Sequence, residues 1–133
     1  MVHLTKKGYK TMSKMTKIDI IARPEKLEDL KLALNSIGVQ GMTVSQVFGC
    51  GLQKGHIEVY RGKEYNVNLL PMIKVETVVC DVPVDDVMEV ARNTLQTGNV
   101  GDGKIFVYDV EDCMRIRTGT RGFKAISDDE VVE

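Results

Sequence analysis

Thr97-Gly98-Asn99-Val100-Gly101-Asp102-Gly103-Lys104-Ile105-Phe106-Val107 sets three glycines and a lysine directly before a β-branched, aromatic run. Glycine admits positive φ and carries no Cβ, so successive backbone N–H groups can converge on an anion while Lys104 adds a positive charge. The same Gly-Asp-Gly is also ordinary turn chemistry ahead of a strand, and the segment by itself leaves both readings open. It is no Walker A loop, because Ile105 stands where Ser or Thr is needed and a strand, not a helix, follows. Downstream, Arg115 and Arg117 flank Ile116. If that segment is extended, the two guanidiniums share a face. Collecting two such cations near Lys104 favours an anion, since like charges repel and the fork-shaped donors suit phosphate oxygens. The other reading is a solvated basic edge.

Outward from this stretch, composition narrows the possibilities. A chain of 133 residues suits one domain with a modest core. A net charge of −1 and a pI near 6.1 exclude a broad basic surface for direct nucleic-acid binding, so any basic site is local. Cys50, Cys80 and Cys113 have no metal-ligand spacing and an odd count, which suits free thiols in a reducing, cytoplasmic setting and argues against zinc. With His3 and His56 as the only histidines, no Ser-His-Asp or Cys-His constellation is visible and catalytic residues are expected to be absent. No apolar run approaches the roughly 20 residues of a membrane span.

Residues 1–15 carry Lys6, Lys7, Lys10 and Lys14 without an acidic residue or apolar periodicity, which predicts a disordered or non-native extension. From Thr16, alternation through Ile18, Ile20 and Ala22 predicts a strand. Pro24 opens a helix whose Leu27, Leu30, Leu34 and Ile37 share a face until Gly38. Met42 to Gly49 is a second strand, and residues 52–70 are too long and too polar for a tidy turn, so a long loop is expected there, with a hairpin extension as the alternative. Ile73 to Cys80 is a third strand, Val84, Met88, Ala91 and Leu95 mark a second helix, and Ile105 to Val110 is the fourth strand. The order βαββαβ predicts an α+β, ferredoxin-like domain over 16–125 with an antiparallel sheet, followed by an acidic tail over 126–133. Both helices then cover one face. Ile21, Thr43, Val47, Val78 and Phe106 fall on the other, too apolar for water, which predicts self-association around an axis.

The chain resembles the P-II nitrogen-regulatory signalling family. Tyr60-Arg61-Gly62-Lys63-Glu64-Tyr65 is similar to that family's loop signature and Thr97 to Val107 to its second signature. The similarity runs from about Lys17 to Ala125 and includes Arg23-Pro24, Gly41-Met42-Thr43-Val44 and Gly49-Cys50-Gly51-Leu52-Gln53-Lys54-Gly55. Two signatures in the right order are far more specific than one glycine loop.

The resemblance implies a homotrimer with ATP or ADP in clefts between neighbours. Gly101, Asp102, Gly103 and Lys104 would wrap the phosphates, with Arg115 and Arg117 reaching in from an adjoining subunit. Thr43, Gly49, Gly51 and Val78 match positions near the nucleotide. Gln53 matches the residue that helps hold Mg2+ and 2-oxoglutarate, with Lys54 and Gly55 beside it. The long loop would dock into an ammonium transporter, a nitrogen-metabolism enzyme or a transcription regulator, so that contact with a membrane comes only through a partner. His56, Tyr60, Arg61 and Tyr65 lie on that loop. Tyr65 matches the family's nucleotidylylated tyrosine, with docking or packing as its other role, and His56 reads as a loop or partner contact rather than a metal ligand. Two departures matter: Leu52 replaces an arginine near the terminal phosphate, and Met72 replaces a lysine that pairs with 2-oxoglutarate. Losing one charge-assisted hydrogen bond of about 1.5–3 kcal/mol lowers effector affinity by about one to two decades. The alternative to a sensor is a small phosphate-ester or acyl-phosphate hydrolase on the same fold, using Lys104 and Arg117 to hold its anion. An RNA-binding module lacks the aromatic platform that base stacking requires.

Overall fold

The computed structural model describes residues 14–50 and 69–127 in full, and the backbone of Val2–Leu4, Lys10–Met12, Ile57–Tyr60 and Lys63–Asn66. Within the extension expected over 1–15, Val2–Leu4 (β1) pairs antiparallel with Lys10–Met12 (β2). The domain itself begins with β3, Met15–Ala22, whose first residue is already buried, one position ahead of the expected boundary.

A 3-10 turn at Pro24–Lys26 leads into α1, Leu27–Ser36. Proline starts it well because its fixed φ is helical and the first-turn N–H it lacks would be unpaired anyway. The helix closes when Val39 N–H donates to the Leu34 carbonyl at 3.0 Å across Gly38, whose φ of 97° is the left-handed stop glycine allows. Then follow β4 (Thr43–Cys50), β5 (Ile57–Tyr60), β6 (Lys63–Asn66), β7 (Leu69–Val79), α2 (Val84–Leu95), β8 (Gly103–Val110) and a single helical turn, α3 (Phe123–Ile126). Four strands form one antiparallel sheet in the order β4-β7-β3-β8, the ferredoxin-like arrangement read from the sequence.

Leu69 and Leu70, assigned to the loop by sequence, are strand: they pair with Cys50 and Gly49. Pro71 follows them directly within the strand. It sits where β7 has run past the end of β3, whose last pair is Ala22 with Ile73, so no ladder bond is lost on that side. Inside the segment read as a long loop, β5 and β6 pair with each other as a separate hairpin, in register from Ile57 with Asn66 to Tyr60 with Lys63.

The core lies on one face of the sheet. Ile18, Ile20, Ala22, Ile73 and Val75 meet Leu30 and Leu34 of α1 and Val87, Ala91 and Leu95 of α2. Each fully buried Leu, Ile or Val side chain contributes about 1.5–3 kcal/mol over its exposed state. The register puts Ile21, Thr43, Val47, Val78 and Phe106 together on the opposite face, as their parity required. That face also holds an ionic cluster: the Lys17 amine lies 2.9 Å from Glu76 and 3.4 Å from Asp19, and Lys74 lies 3.8 Å from Asp19 and 3.7 Å from Glu76. The bond from Lys17 lowers the Glu76 pKa and raises that of Lys17.

Candidate functional site

The glycine-rich segment folds around one carboxylate. Asp102 accepts hydrogen bonds from the Thr97 backbone N–H at 2.7 Å, the Gly98 N–H at 3.0 Å and the Thr97 hydroxyl, and thereby closes residues 97–102 into a ring. Asn99 N–H donates to the same hydroxyl at 3.2 Å. Donation from the Thr97 hydroxyl and then from its backbone holds the Asp102 pKa down to about 2, from an ordinary 3.8. Asp102 is thus a loop-former with its acceptor capacity turned inward.

Sequence reasoning placed Arg23 beside Pro24 and gave it no part in the site. Its Nη2 donates to the Val100 carbonyl at 3.1 Å and lies 3.3 Å from Asp102 Oδ1. Arg23 directly follows Ala22, which pairs with Gly103. Only this register, invisible in a linear sequence, brings the guanidinium to the loop. Glycine is required twice here. Gly101 has φ of 100°, and a Cβ on it would lie 3.3 Å from Arg23 Nη2; Gly103 has φ of 113°, and a Cβ there would lie 1.8 Å from the Ile21 carbonyl oxygen.

Lys104 follows on the open face, exposed, opposite Ile21. Behind it, between α2 and β8, a cleft of about 700 Å3 is lined by Met88, Arg92, Gly98, Asp102, Gly103 and Lys104.

The remaining candidates lie elsewhere. Thr43 and Val78 share a cleft of about 260 Å3 with Lys17, Gly41 and Glu76, and Gly49 lies further along β4. Arg115 lines a neighbouring cavity of about 360 Å3 with Gly41, Thr77, Val78 and Ser127. The segment from Arg115 to Arg117 is not extended, as the shared-face argument assumed: Gly119 N–H donates back to the Arg115 carbonyl at 2.8 Å, and the chain turns. The Arg115 guanidinium donates to the Lys124 and Ala125 carbonyls of α3 at 3.1 and 3.3 Å. Gly51, Leu52, Gln53, Lys54, Gly55, His56 and Arg61 lie outside the described residues, and Tyr60 and Tyr65 are described as strand backbone only.

The structure therefore brings Thr43, Val78 and Arg115 together and keeps the glycine loop apart. β4 and β8 are opposite edges of the sheet. Three strand spacings of about 4.8 Å separate them by roughly 14 Å. Among the described residues no cluster of His, Cys, Asp and Glu could hold a metal ion, and no helix is long and apolar enough to cross a membrane.

Comparison with known proteins agrees with this architecture. Residues 15–120 match the family model described as Nitrogen regulatory protein P-II. The chain is 54% identical over 112 residues to the Nitrogen regulatory protein P-II of Pasteurella multocida, covering 84% of this chain and 100% of that one. With the Nitrogen regulatory protein P-II 1 of Escherichia coli K12 it shares 53% over the same spans. Among solved structures, B. subtilis GlnK superposes with a TM-score of 0.73 at 50% identity, covering 85% of this chain and 99% of that one. Its complex with ATP gives 0.73 at 46%, covering 86% and 99%. The match of the family model to residues 15–120 and the identity over most of the chain have one outcome: this chain belongs to the P-II family of nitrogen regulatory proteins.

Proposed function

We propose that the chain senses nucleotide state, binding ATP or ADP in clefts between the subunits of a homotrimer and reporting it to partner proteins through the loop at 52–70. The observation that carries this is the division of the site. Gly101–Lys104 sit at the β8 edge, while Thr43, Gly49 and Val78 lie on and beside the β4 edge, too distant for one chain to close a pocket on a phosphate. A second copy whose β8 edge adjoins β4 supplies the missing half. The exposed aromatic side chains of the open face, Phe106 and Tyr108, each nearly half exposed, give such copies a reason to associate. The likeness to a GlnK solved with ATP supports the ligand.

In this reading the loop amides and Lys104 hold the phosphates, and Thr43 and Val78 face the base. Arg115 and Arg117 contribute charge from the turn after β8. Gln53, with Lys54 and Gly55, would hold Mg2+ and 2-oxoglutarate where the loop begins. Met72, with its thioether on the open face, brings no charge to a carboxylate, so 2-oxoglutarate binds weakly. Bound ligand shifts the population of loop postures, and a partner such as an ammonium transporter, an enzyme or a transcription regulator selects one. His56, Tyr60, Arg61 and Tyr65 are the loop's contact or modification residues. The protein acts in the cytoplasm and reaches a membrane only through a transporter. The regulatory names of its relatives favour sensing over phosphate-ester hydrolysis.

Calorimetry with ATP and with ADP, each with and without Mg2+ and 2-oxoglutarate, tests the reading alongside sedimentation. Submillimolar binding to a trimer supports it. Failure of both nucleotides to bind, or a monomer at micromolar concentration, overturns it.

A further inference from the structure

The loop poses an electrostatic problem. A site meant for polyphosphate has a carboxylate, Asp102, in its wall, and the low pKa of that group keeps it ionised throughout the neutral range. Three donors from Thr97 and Gly98 satisfy its oxygens but bring no net charge. Among the described residues one cation touches it. Arg23 Nη2 lies 3.3 Å from Oδ1, and the same nitrogen bonds the Val100 carbonyl, so one guanidinium joins the ring's acidic residue to its crest. A Cβ built on Gly101 would lie 3.3 to 3.8 Å from Nη2, Cζ and Nη1, so the guanidinium rests flat against that glycine. Its Nε is buried without a hydrogen-bond partner among the described residues, which marks a side chain set by packing and by these two bonds.

Resting on the nucleotide-binding reading above, we propose that Arg23 is a positioning residue of the phosphate cradle, clamping residues 100–102 and cancelling the Asp102 charge that would otherwise repel a polyphosphate. It acts through Asp102 and the Val100 carbonyl. Lys104 and the loop amides remain the groups that meet the anion.

The two parts of this role separate in a double-mutant cycle. ATP affinity is measured by calorimetry for the wild type, Arg23→Met, Asp102→Asn and the double variant, and hydrogen exchange is followed over residues 97–103. Arg23→Met is expected to weaken ATP binding about tenfold or more, because it leaves a carboxylate within the loop wall without its counter-charge. Asp102→Asn keeps an oxygen for the Thr97 and Gly98 backbone donors at the Oδ2 position, and its amide can donate to the Thr97 hydroxyl at the Oδ1 position, while the charge is removed, so the double variant is expected to recover to within about threefold of the wild type. Adenosine, which has no phosphate, is expected to bind all four alike.

A double variant as weak as Arg23→Met, or weaker, would mean that Arg23 meets the ligand itself or only supports the fold, and overturns the proposal. So does Arg23→Met binding ATP as the wild type does. Absence of ATP binding by the wild type overturns the nucleotide reading and this proposal together, whereas the preceding outcomes leave that reading standing. If Arg23→Met does not fold, Arg23→Lys carries the test: it keeps the charge, and a folded Arg23→Lys more than tenfold weaker than the wild type also overturns the proposal.

Discussion

Gly103 and Ile21 approach so closely that a methyl group on the glycine would sit 1.8 Å from the isoleucine carbonyl oxygen. β8 thus starts pressed against β3, which fixes where the glycine loop joins the sheet. Gly103→Ala is expected to destabilise the protein by roughly 3 kcal/mol or more, combining a positive-φ penalty with a backbone clash. Gly98 is the control: its φ is 86° but nothing lies within 4 Å of an added Cβ, so Gly98→Ala costs only about 1–2 kcal/mol. Urea unfolding of the two variants, side by side at one protein concentration, checks the difference.

Asp102 makes the loop acid-sensitive within a defined window. Its folded pKa of about 2 lies below the ordinary 3.8, so its contribution is complete above about pH 4 and disappears as pH falls towards 2. The stability of the wild type relative to Asp102→Asn should therefore decline between those two values and stay constant above them. Thermal melts of both proteins from pH 2 to pH 7 give the comparison, and a constant difference over the whole range contradicts the assignment.

Lys104 and Arg115 should fail in different ways. Lys104 is exposed and is the second residue of β8, on the open face, so Lys104→Ala is expected to lower nucleotide affinity about tenfold or more and leave the melting temperature within a degree or two. Arg115 also ties down α3 through the Lys124 and Ala125 carbonyls. Arg115→Ala should lower affinity and also speed hydrogen exchange at Ser127, whose N–H donates to Phe123 at the end of that turn, by about tenfold. Equal exchange in the two variants contradicts the anchoring role.

Association through the open face is tested at Phe106, 45% exposed on a chain considered alone. Phe106→Asp puts a second carboxylate beside Asp19 on that face and is expected to shift sedimentation from the proposed trimer towards monomer, with nucleotide binding lost in parallel. A trimer retained at micromolar concentration would move the interface elsewhere.

How much of this was legible in advance follows from the range of the interactions. The helix over Val84–Leu95 and the strand over Met15–Ala22 could be read to within a residue or two because their signals, apolar period and flanking Pro and Gly, are local. β7 starts four residues ahead of the expected Ile73, because the pairing of Leu69 and Leu70 with Cys50 and Gly49 is a long-range contact that local alternation does not announce. Arg115 and Arg117 looked extended because nothing local announces a turn until Gly119. The Arg23 contact was out of reach for another reason: it joins residues 79 positions apart through the pairing of Ala22 with Gly103. Asp102 also braces the glycine-rich loop from within, a role set by where its oxygens point rather than by its type.

The β4–β7 ladder ends at Cys50 opposite Leu69. That pair works as a collar: whatever chain is threaded between its two ends leaves the sheet at a fixed spacing and in a fixed direction. Doubling the enclosed length adds only about 0.6 kcal/mol of closure entropy. Inserts between the two ends can therefore be exchanged for others of different length while the sheet beneath them stays the same.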